Sequence, residues 1–114
     1  MKLITSIIFL LLSFHVNAQV TNDKNKVTKH DKIIVYGSDT CHYCLDTKAY
    51  LKEKKVDFIY YDVDVNLVKQ QEMLLKLQKA NISIETLNLP VIDKKGDIFT
   101  NGDNFDTFLK RLIN

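Results

Sequence analysis

The stretch IIVYGSDTCHYCLD, residues 33–46, decides how the rest of the sequence is interpreted. It opens with a β-branched and aromatic run at residues 33–36 that ends at Gly37, and such a run predicts a buried strand. Two cysteines follow, Cys41 and Cys44, and they are the only cysteines in the chain. Three uses of this pair are open at this point: a redox couple, half of a metal site, or a structural disulfide.

Helical and strand patterns alternate after the cysteines. Residues 45–55 contain strong helix formers and no Gly or Pro, which predicts a helix. Residues 56–65 are rich in strand formers and predict a second strand. Asn66 can then cap a second helix over residues 67–80, where leucines recur among polar residues.

The C-terminal third predicts a β-hairpin followed by a closing helix. Pro90 begins a short strand, a turn at residues 93–96 uses Gly96 for its positive φ, and residues 97–100 form the partner strand. Asp103 or Asn104 caps the last helix, in which apolar residues recur at i, i+3, i+4 and i+7. These residues are Phe105, Phe108, Leu109 and Leu112.

The predicted order of elements is therefore β-α-β-α-β-β-α. The first β-α-β unit requires parallel strands with a right-handed crossover, and the hairpin adds an antiparallel edge. The fold class is α/β, a four-stranded mixed sheet flanked by three helices, which resembles the thioredoxin-like arrangement. The cysteines then lie where strand one ends and helix one begins, the place where α/β sheets carry their chemistry.

This location gives the two cysteines different expected roles. Unpaired N–H groups and a partial positive charge at a helix N-terminus stabilise a thiolate, which is the reactive species. We therefore expect Cys41 to be the nucleophile and Cys44, one turn further in, to resolve the mixed disulfide. His42 either favours that thiolate when protonated or faces solvent without a role, and Tyr43 either lines the rim of the site or covers the helix end.

Pro90 is the only proline in the chain. A proline that enters a strand is tolerated at an edge or at a strand start. We expect a cis Leu89–Pro90 bond that turns the backbone of Leu89 toward the cysteines, so that a substrate segment can pair with it as an added strand. The alternative is an ordinary trans proline.

From residue 32 to the C-terminus the chain resembles the glutaredoxins, through VYGSDTCHYC, YDVDV, NLPVID and GDNFD. The resemblance implies that Leu89 and Pro90 bind the backbone of glutathione. It also implies a γ-glutamyl site in the Asn101-Gly102-Asp103-Asn104 segment. His42 replaces the usual proline of the family, and Ser38 stands where a basic residue is common. We therefore expect protein disulfides to be better substrates than glutathione adducts.

The N-terminal residues predict export. Residues 1–18 combine Lys2, a dozen mostly aliphatic residues and a small residue at Ala18, as a secretory signal peptide does. The apolar run is shorter than the roughly 20 residues of a membrane span, so no stable membrane anchor is expected. Residues 19–31 read as a flexible polar leader, and residues 32–114 as the domain.

The expected setting is periplasmic or secreted, and the expected protein is a monomer. Cleavage after Ala18 removes Lys2 and no acid, lowering the net charge from +2 to +1, which gives no reason to expect nucleic acid as a partner. The expected partners are protein disulfides or thiols and an upstream redox protein. No tightly bound cofactor is expected, and glutathione stays open as a co-substrate.

A metal-binding role is the main alternative, because a single CxxC can bind copper or share an iron–sulfur cluster. Zinc normally takes four ligands, and no second Cys or His pair with suitable spacing exists in this sequence. A metal site would therefore need a second chain or an external thiol. A purely structural disulfide is disfavoured since so short a loop removes little chain entropy. The direction of disulfide exchange stays open.

Overall fold

The computed structural model describes residues 32–114, so the predicted signal peptide and polar leader lie outside the described residues. Seven elements follow one another in the predicted order β-α-β-α-β-β-α. They are β1 (Ile33–Gly37), α1 (His42–Glu53), β2 (Phe58–Asp62), α2 (Leu67–Lys79), β3 (Val91–Lys94), β4 (Asp97–Thr100) and α3 (Phe105–Ile113).

The four strands form one mixed sheet in the order β2-β1-β3-β4. Strands β1 and β2 are parallel, as the first β-α-β unit requires. Strand β3 is antiparallel to both β1 and β4. The predicted fold class is confirmed: an α/β fold with a four-stranded mixed sheet and three helices.

Strand β1 is buried on both faces, which explains its uninterrupted apolar sequence. Ile33 and Val35 face one core together with residues of α1 and α3, and Ile34 and Tyr36 face the other together with residues of α2. Fully burying an aliphatic or aromatic side chain stabilises the fold by about 1.5–3 kcal/mol. The two cores therefore fix β1, and with it the start of α1, in the centre of the domain.

Helix α1 differs from its predicted bounds at both ends. It begins at His42 rather than at residue 45, with Cys41 as its N-cap, and it ends at Glu53. Lys55 has a φ of 57°, in the left-handed region that ends helices. The helix starts early because packing of Cys44, Thr47 and other residues against the sheet outweighs weak local propensity.

Strand β2 is shorter than predicted. It covers Phe58–Asp62 rather than residues 56–65, because the Oδ1 atom of Asp62 accepts a hydrogen bond from the amide of Asp64 at 3.0 Å. Such a side-chain bond two residues ahead turns the chain out of the strand. Asp64 consequently lies in a turn beyond the strand end.

The predicted turns and caps are present. Asn66 caps α2 by accepting from the amide of Lys69 at 3.1 Å. Of the two candidates for α3, Asn104 is the cap, accepting from the amide of Thr107 at 3.0 Å. In the β3–β4 turn Gly96 has the predicted positive φ, and Lys95 before it has one as well.

Within residues 32–114, no helix combines the length and apolar character needed to cross a membrane.

Candidate active site

Cys41 lies at the opening of α1. Its amide donates to the carbonyl oxygen of Ser38 at 3.0 Å, and its own carbonyl accepts from the amides of Cys44 and Leu45, both at 3.1 Å. Its backbone is extended, and its side chain makes no capping bond to the helix. The backbone is thus held on both sides while the sulfur is left available.

The sulfur of Cys41 faces the segment that contains the single proline. Its Sγ atom lies 3.9 Å from the carbonyl oxygen of Leu89. The Leu89–Pro90 peptide bond is cis, as expected. The cleft beside Cys41 has a volume of about 420 Å³. Its lining residues are Cys41, Tyr43, Leu87, Asn88, Leu89, Asn101, Gly102, Asp103 and Phe105.

Cys44 is fully buried behind this cleft, whereas Cys41 is half-buried. Its sulfur packs directly on Gly37, where an added Cβ would lie only 2.9 Å from Sγ. Burial, and then the hydrogen bond with Cys41, raise the pKa of the Cys44 thiol to about 12. One thiol is therefore accessible and the other is sequestered next to it, which is the asymmetry that a nucleophile and a resolving cysteine require.

The far wall of the cleft comes from the start of α3 and the turn before it. The rings of Tyr43 and Phe105 lie 4.8 Å apart and form an apolar side. Asn101 is 4% exposed, and within residues 32–114 its Oδ1 atom has no hydrogen-bond partner. The backbone N–H of Asn101 donates to the carbonyl oxygen of Pro90 at 3.3 Å, which connects this turn to the segment that faces Cys41.

Four of the predicted site residues are not among those that line the cleft: Cys44 and Pro90 are fully buried, and the side chains of His42 and Asn104 are engaged elsewhere. The side chain of His42 is 80% exposed, and its Nε2 atom lies 2.9 Å from a carboxylate oxygen of Asp46, one helical turn on. The side chain of Asn104 is engaged in the cap of α3. Tyr43, Leu89, Gly102 and Asp103 do line it. Roles in substrate binding stay predictions for all of these residues.

A polar group next to Cys41 was not predicted. Ser38 is buried, and its Oγ atom contacts the Oγ1 atom of Thr40 at 2.8 Å and donates to the carboxylate of Asp64. The sequence did contain a signal for it: β1 and β2 are parallel neighbours, so their carboxyl ends meet, and Gly37 pairs with Asp62. Ser38 and Asp64, which follow these two strand ends, could therefore have been expected to lie close together.

No group of three or more His, Cys, Asp or Glu side chains in the described part of the chain is arranged to hold a metal ion. A larger groove of about 620 Å³ lies along α2 and shares no residue with the cleft. Its lining is mainly apolar, with Leu74, Leu75, Ile82 and Ile84. Neither cysteine nor histidine is among the residues that line this groove.

Known proteins are similar to this chain in sequence and in fold. The glutaredoxin family model matches residues 33–92, just over half of the chain. An uncharacterized glutaredoxin-like 8.6 kDa protein encoded in the rubredoxin operon of Clostridium pasteurianum is 38% identical over 69 residues, which cover 58% of this chain and 79% of that protein. The crystal structure of a glutaredoxin from Archaeoglobus fulgidus is similar with a TM-score of 0.55 and 26% identity, covering 75% of this chain and 88% of that one. The chain therefore belongs to the glutaredoxin family.

Proposed function

We propose that this protein is a thiol-disulfide oxidoreductase that uses Cys41 and Cys44 as its redox couple. The observation that carries the proposal is the pairing of an accessible Cys41 at the N-cap of α1 with a fully buried Cys44 behind it. Membership of the glutaredoxin family supports the same class of reaction.

In the reducing direction the Cys41 thiolate attacks one sulfur of a substrate disulfide. A bond forms between the two sulfurs, and the other half of the substrate leaves as a thiolate that takes up a proton. Cys44 then loses its proton and attacks the Sγ atom of Cys41. The substrate thiolate leaves, the dithiol has become a disulfide, and two electrons have passed to the substrate. Oxidation of a substrate runs the same steps backwards.

The cleft offers an extended substrate a place to bind. The carbonyl oxygen of Leu89 faces Cys41, so a substrate backbone can donate a hydrogen bond to it as an added strand does. The rings of Tyr43 and Phe105 supply apolar contact on the other side. Protein disulfides are the proposed substrates, with glutathione as an optional co-substrate.

Replacing each cysteine separately tests the roles. Cys41→Ser should abolish reduction of a model protein disulfide such as insulin, because it removes the attacking sulfur. Cys44→Ser should accumulate a mixed disulfide, visible in the intact mass as the added substrate, because nothing resolves it. The two variants are matched controls for each other, and full turnover by Cys41→Ser would show that the roles are assigned wrongly.

A comparison of substrates tests the preference for proteins. We expect a higher kcat/KM for a protein disulfide than for a mixed disulfide between a peptide and glutathione. The motif that holds the γ-glutamyl end in the family is matched only loosely here, by Asn101-Gly102-Asp103-Asn104. A clear preference for the glutathione adduct would contradict this expectation.

The physiological direction of disulfide exchange depends on the reduction potential of the Cys41–Cys44 pair. A value near −270 mV would indicate a reductase and a value near −120 mV an oxidase, since these are roughly the potentials of known proteins of each kind. The measurement is equilibration of the purified domain with a thiol buffer of known potential.

We also propose that residues 1–18 direct export and that the domain works in a periplasmic or secreted setting. The sequence of residues 1–18 supports this proposal. Disulfides form and persist in such compartments, so protein disulfide substrates are plentiful there.

A further inference from the structure

The cleft beside Cys41 has an unbalanced set of charges. Of the residues that line it, only Asp103 carries a formal charge, and that charge is negative. Outside the cleft lining, the Cys41 backbone amide donates to the carbonyl of Ser38, and the hydroxyl of Ser38 donates to the carboxylate of Asp64. Asp103 thus lines the cleft itself, and Asp64 bonds to the residue that holds the backbone of Cys41.

Four aspartates lie near the cleft or near the strand ends beside it, namely Asp39, Asp62, Asp64 and Asp103, and within residues 32–114 only Asp39 of these four is paired with a cation. Lys48 pairs with Asp39 at 3.0 Å. Asp62, by contrast, accepts only from the amides of Asp39, at 3.4 Å, and of Asp64, at 3.0 Å. Asp64 accepts from the hydroxyl of Ser38. Within residues 32–114 the structure shows no ion pair for Asp62, Asp64 or Asp103.

An independent observation on the far wall points in the same direction. The Oδ1 atom of Asn101 is buried, and no donor in the described part of the chain reaches it. A buried acceptor left without a partner is costly, and such groups are normally satisfied by protein, water or ligand. The carbonyl oxygen of Leu89 is a further acceptor in the same cleft. The cleft therefore presents the Leu89 carbonyl and the negative charge of Asp103 to its substrate, with the unpartnered oxygen of Asn101 buried in its wall.

We infer that the cleft selects protein or peptide disulfides in which basic side chains flank the reacting cysteine. The inference rests on the proposed function and names the substrate class of that same site. Complementary charge raises the rate of productive encounter, and like charge lowers it. Glutathione carries two carboxylates and one ammonium group, so its net charge has the wrong sign for this cleft.

The test uses three peptides that differ only in the two residues beside a single cysteine, which are lysine, glutamine or glutamate. Each peptide cysteine is joined to 2-mercaptoethanol in a mixed disulfide. The reduced protein is mixed with a small excess of peptide, and its own dithiol supplies the two electrons. The Cys41–Cys44 disulfide, the free peptide thiol and free 2-mercaptoethanol are the products, and the rate of peptide thiol release is measured.

We expect the lysine peptide to react faster than the glutamine peptide, and the glutamine peptide faster than the glutamate peptide. The lysine-to-glutamate rate ratio should be on the order of tenfold at low salt. It should shrink toward one in 1 M salt, where charges more than about 3 Å apart are screened. Asp64→Asn and Asp103→Asn should each lower the ratio by roughly two- to fivefold, the usual range for an exposed charge pair.

Asp57→Asn is the matched control. It removes the same charge from an exposed residue just before β2, at the opposite end of the strand from the cleft, and should leave the ratio unchanged. Equal rates for the three peptides at low salt would overturn the inference, and so would a ratio that responds to Asp57→Asn as strongly as to the other two. If the folded protein released no thiol even from the glutamine peptide, the proposed function itself would be wrong.

Discussion

Gly37, the last residue of the central strand β1, packs against the buried sulfur of Cys44. A Cβ at this position would be 2.9 Å from the Sγ atom of Cys44 and 2.9 Å from Cε2 of Tyr60. Both neighbours are held by packing, so neither can move away cheaply. The absence of a side chain at Gly37 is therefore what lets Cys44 pack against the sheet.

Gly37→Ala should destabilise the domain by about 1–3 kcal/mol, the usual cost of overpacking a core. The displaced Cys44 should also resolve mixed disulfides more slowly. Urea unfolding and single-turnover kinetics measure the two effects. Gly102→Ala is the control for stability, because a Cβ at that position meets no atom within 4 Å. Equal stability of the two variants would contradict the close packing at Gly37.

Cys44 should make the stability of the reduced protein depend on pH. Burial raises the pKa of its thiol from 9.0 to about 12 in the folded state. Between about pH 9 and pH 12 the unfolded chain has released this proton while the folded chain retains it. The unfolded state then binds fewer protons, so the free energy of unfolding falls as pH rises.

The expected slope from this single group is at most about 1.4 kcal/mol per pH unit. Burial also raises the pKa of Tyr36 and of Tyr60, so the wild type is compared with Cys44→Ser, which keeps both tyrosines. Urea unfolding at pH 8, 9 and 10 under reducing conditions should show the steeper decline in the wild type. Parallel declines would show that Cys44 ionises equally easily in both states.

Only part of the residue-level site could be predicted from the sequence. Cys41 and Cys44 can be recognised as candidates from their thiols and their spacing, and Pro90 from its place at the start of a strand. The local sequence was therefore enough to identify all three. The bond between Ser38 and Asp64 joins residues 26 positions apart, and both residue types are common in loops. The unpartnered amide oxygen of Asn101 depends on what surrounds it after folding, which no local pattern encodes.

Among the helices, the caps were better predicted than the bounds. Asn66 and Asn104 are good N-cap residues by virtue of their own side chains, and both caps are present. The start of α1 is determined instead by burial of Cys44 against β1. That packing involves residues on two elements, so the local helical pattern began only at residue 45, three residues after the observed start, although the cysteines were expected at the opening of the helix.

Asn66→Ala should destabilise the domain by about 1 kcal/mol, because the amide of Lys69 loses its acceptor at the start of α2. Asn66→Ser keeps a capping oxygen and should recover most of that loss. Thermal unfolding of the three proteins provides the measurement. If alanine and serine were equally tolerated, the cap would contribute nothing to stability.

For the whole molecule, the order of elements, the parallel pairing of β1 with β2 and the β3–β4 hairpin were predicted correctly, whereas the pairing of β3 with β1 was not specified. Changes in the spacing of the apolar residues mark each element along the sequence. The right-handed crossover then leaves little choice for how the first two strands pair. The side chains that surround Cys41 were harder to predict from the sequence, because the register of the sheet, and not proximity in the sequence, brings them together.

The proposed export makes a prediction for the chain that begins at Met1. Expressed in a bacterium with an export pathway, the protein should begin at Gln19, because signal peptidase requires a small residue such as Ala18 before the cut. Intact mass of the purified protein locates the new N-terminus. Ala18→Arg should block the cut and retain residues 1–18, and a wild-type protein that keeps Met1 to Ala18 in the exported fraction would contradict the prediction.

The walls of the cleft come from parts of the domain that are far apart in the sequence. A chain that has folded only as far as β2 already carries both thiols, yet it lacks Leu89, Asn101 and Asp103, which arrive with the last third of the sequence. The proposed discrimination between substrates therefore depends on the last third of the sequence, and loosening α3 alone should remove that discrimination while both thiols stay in place.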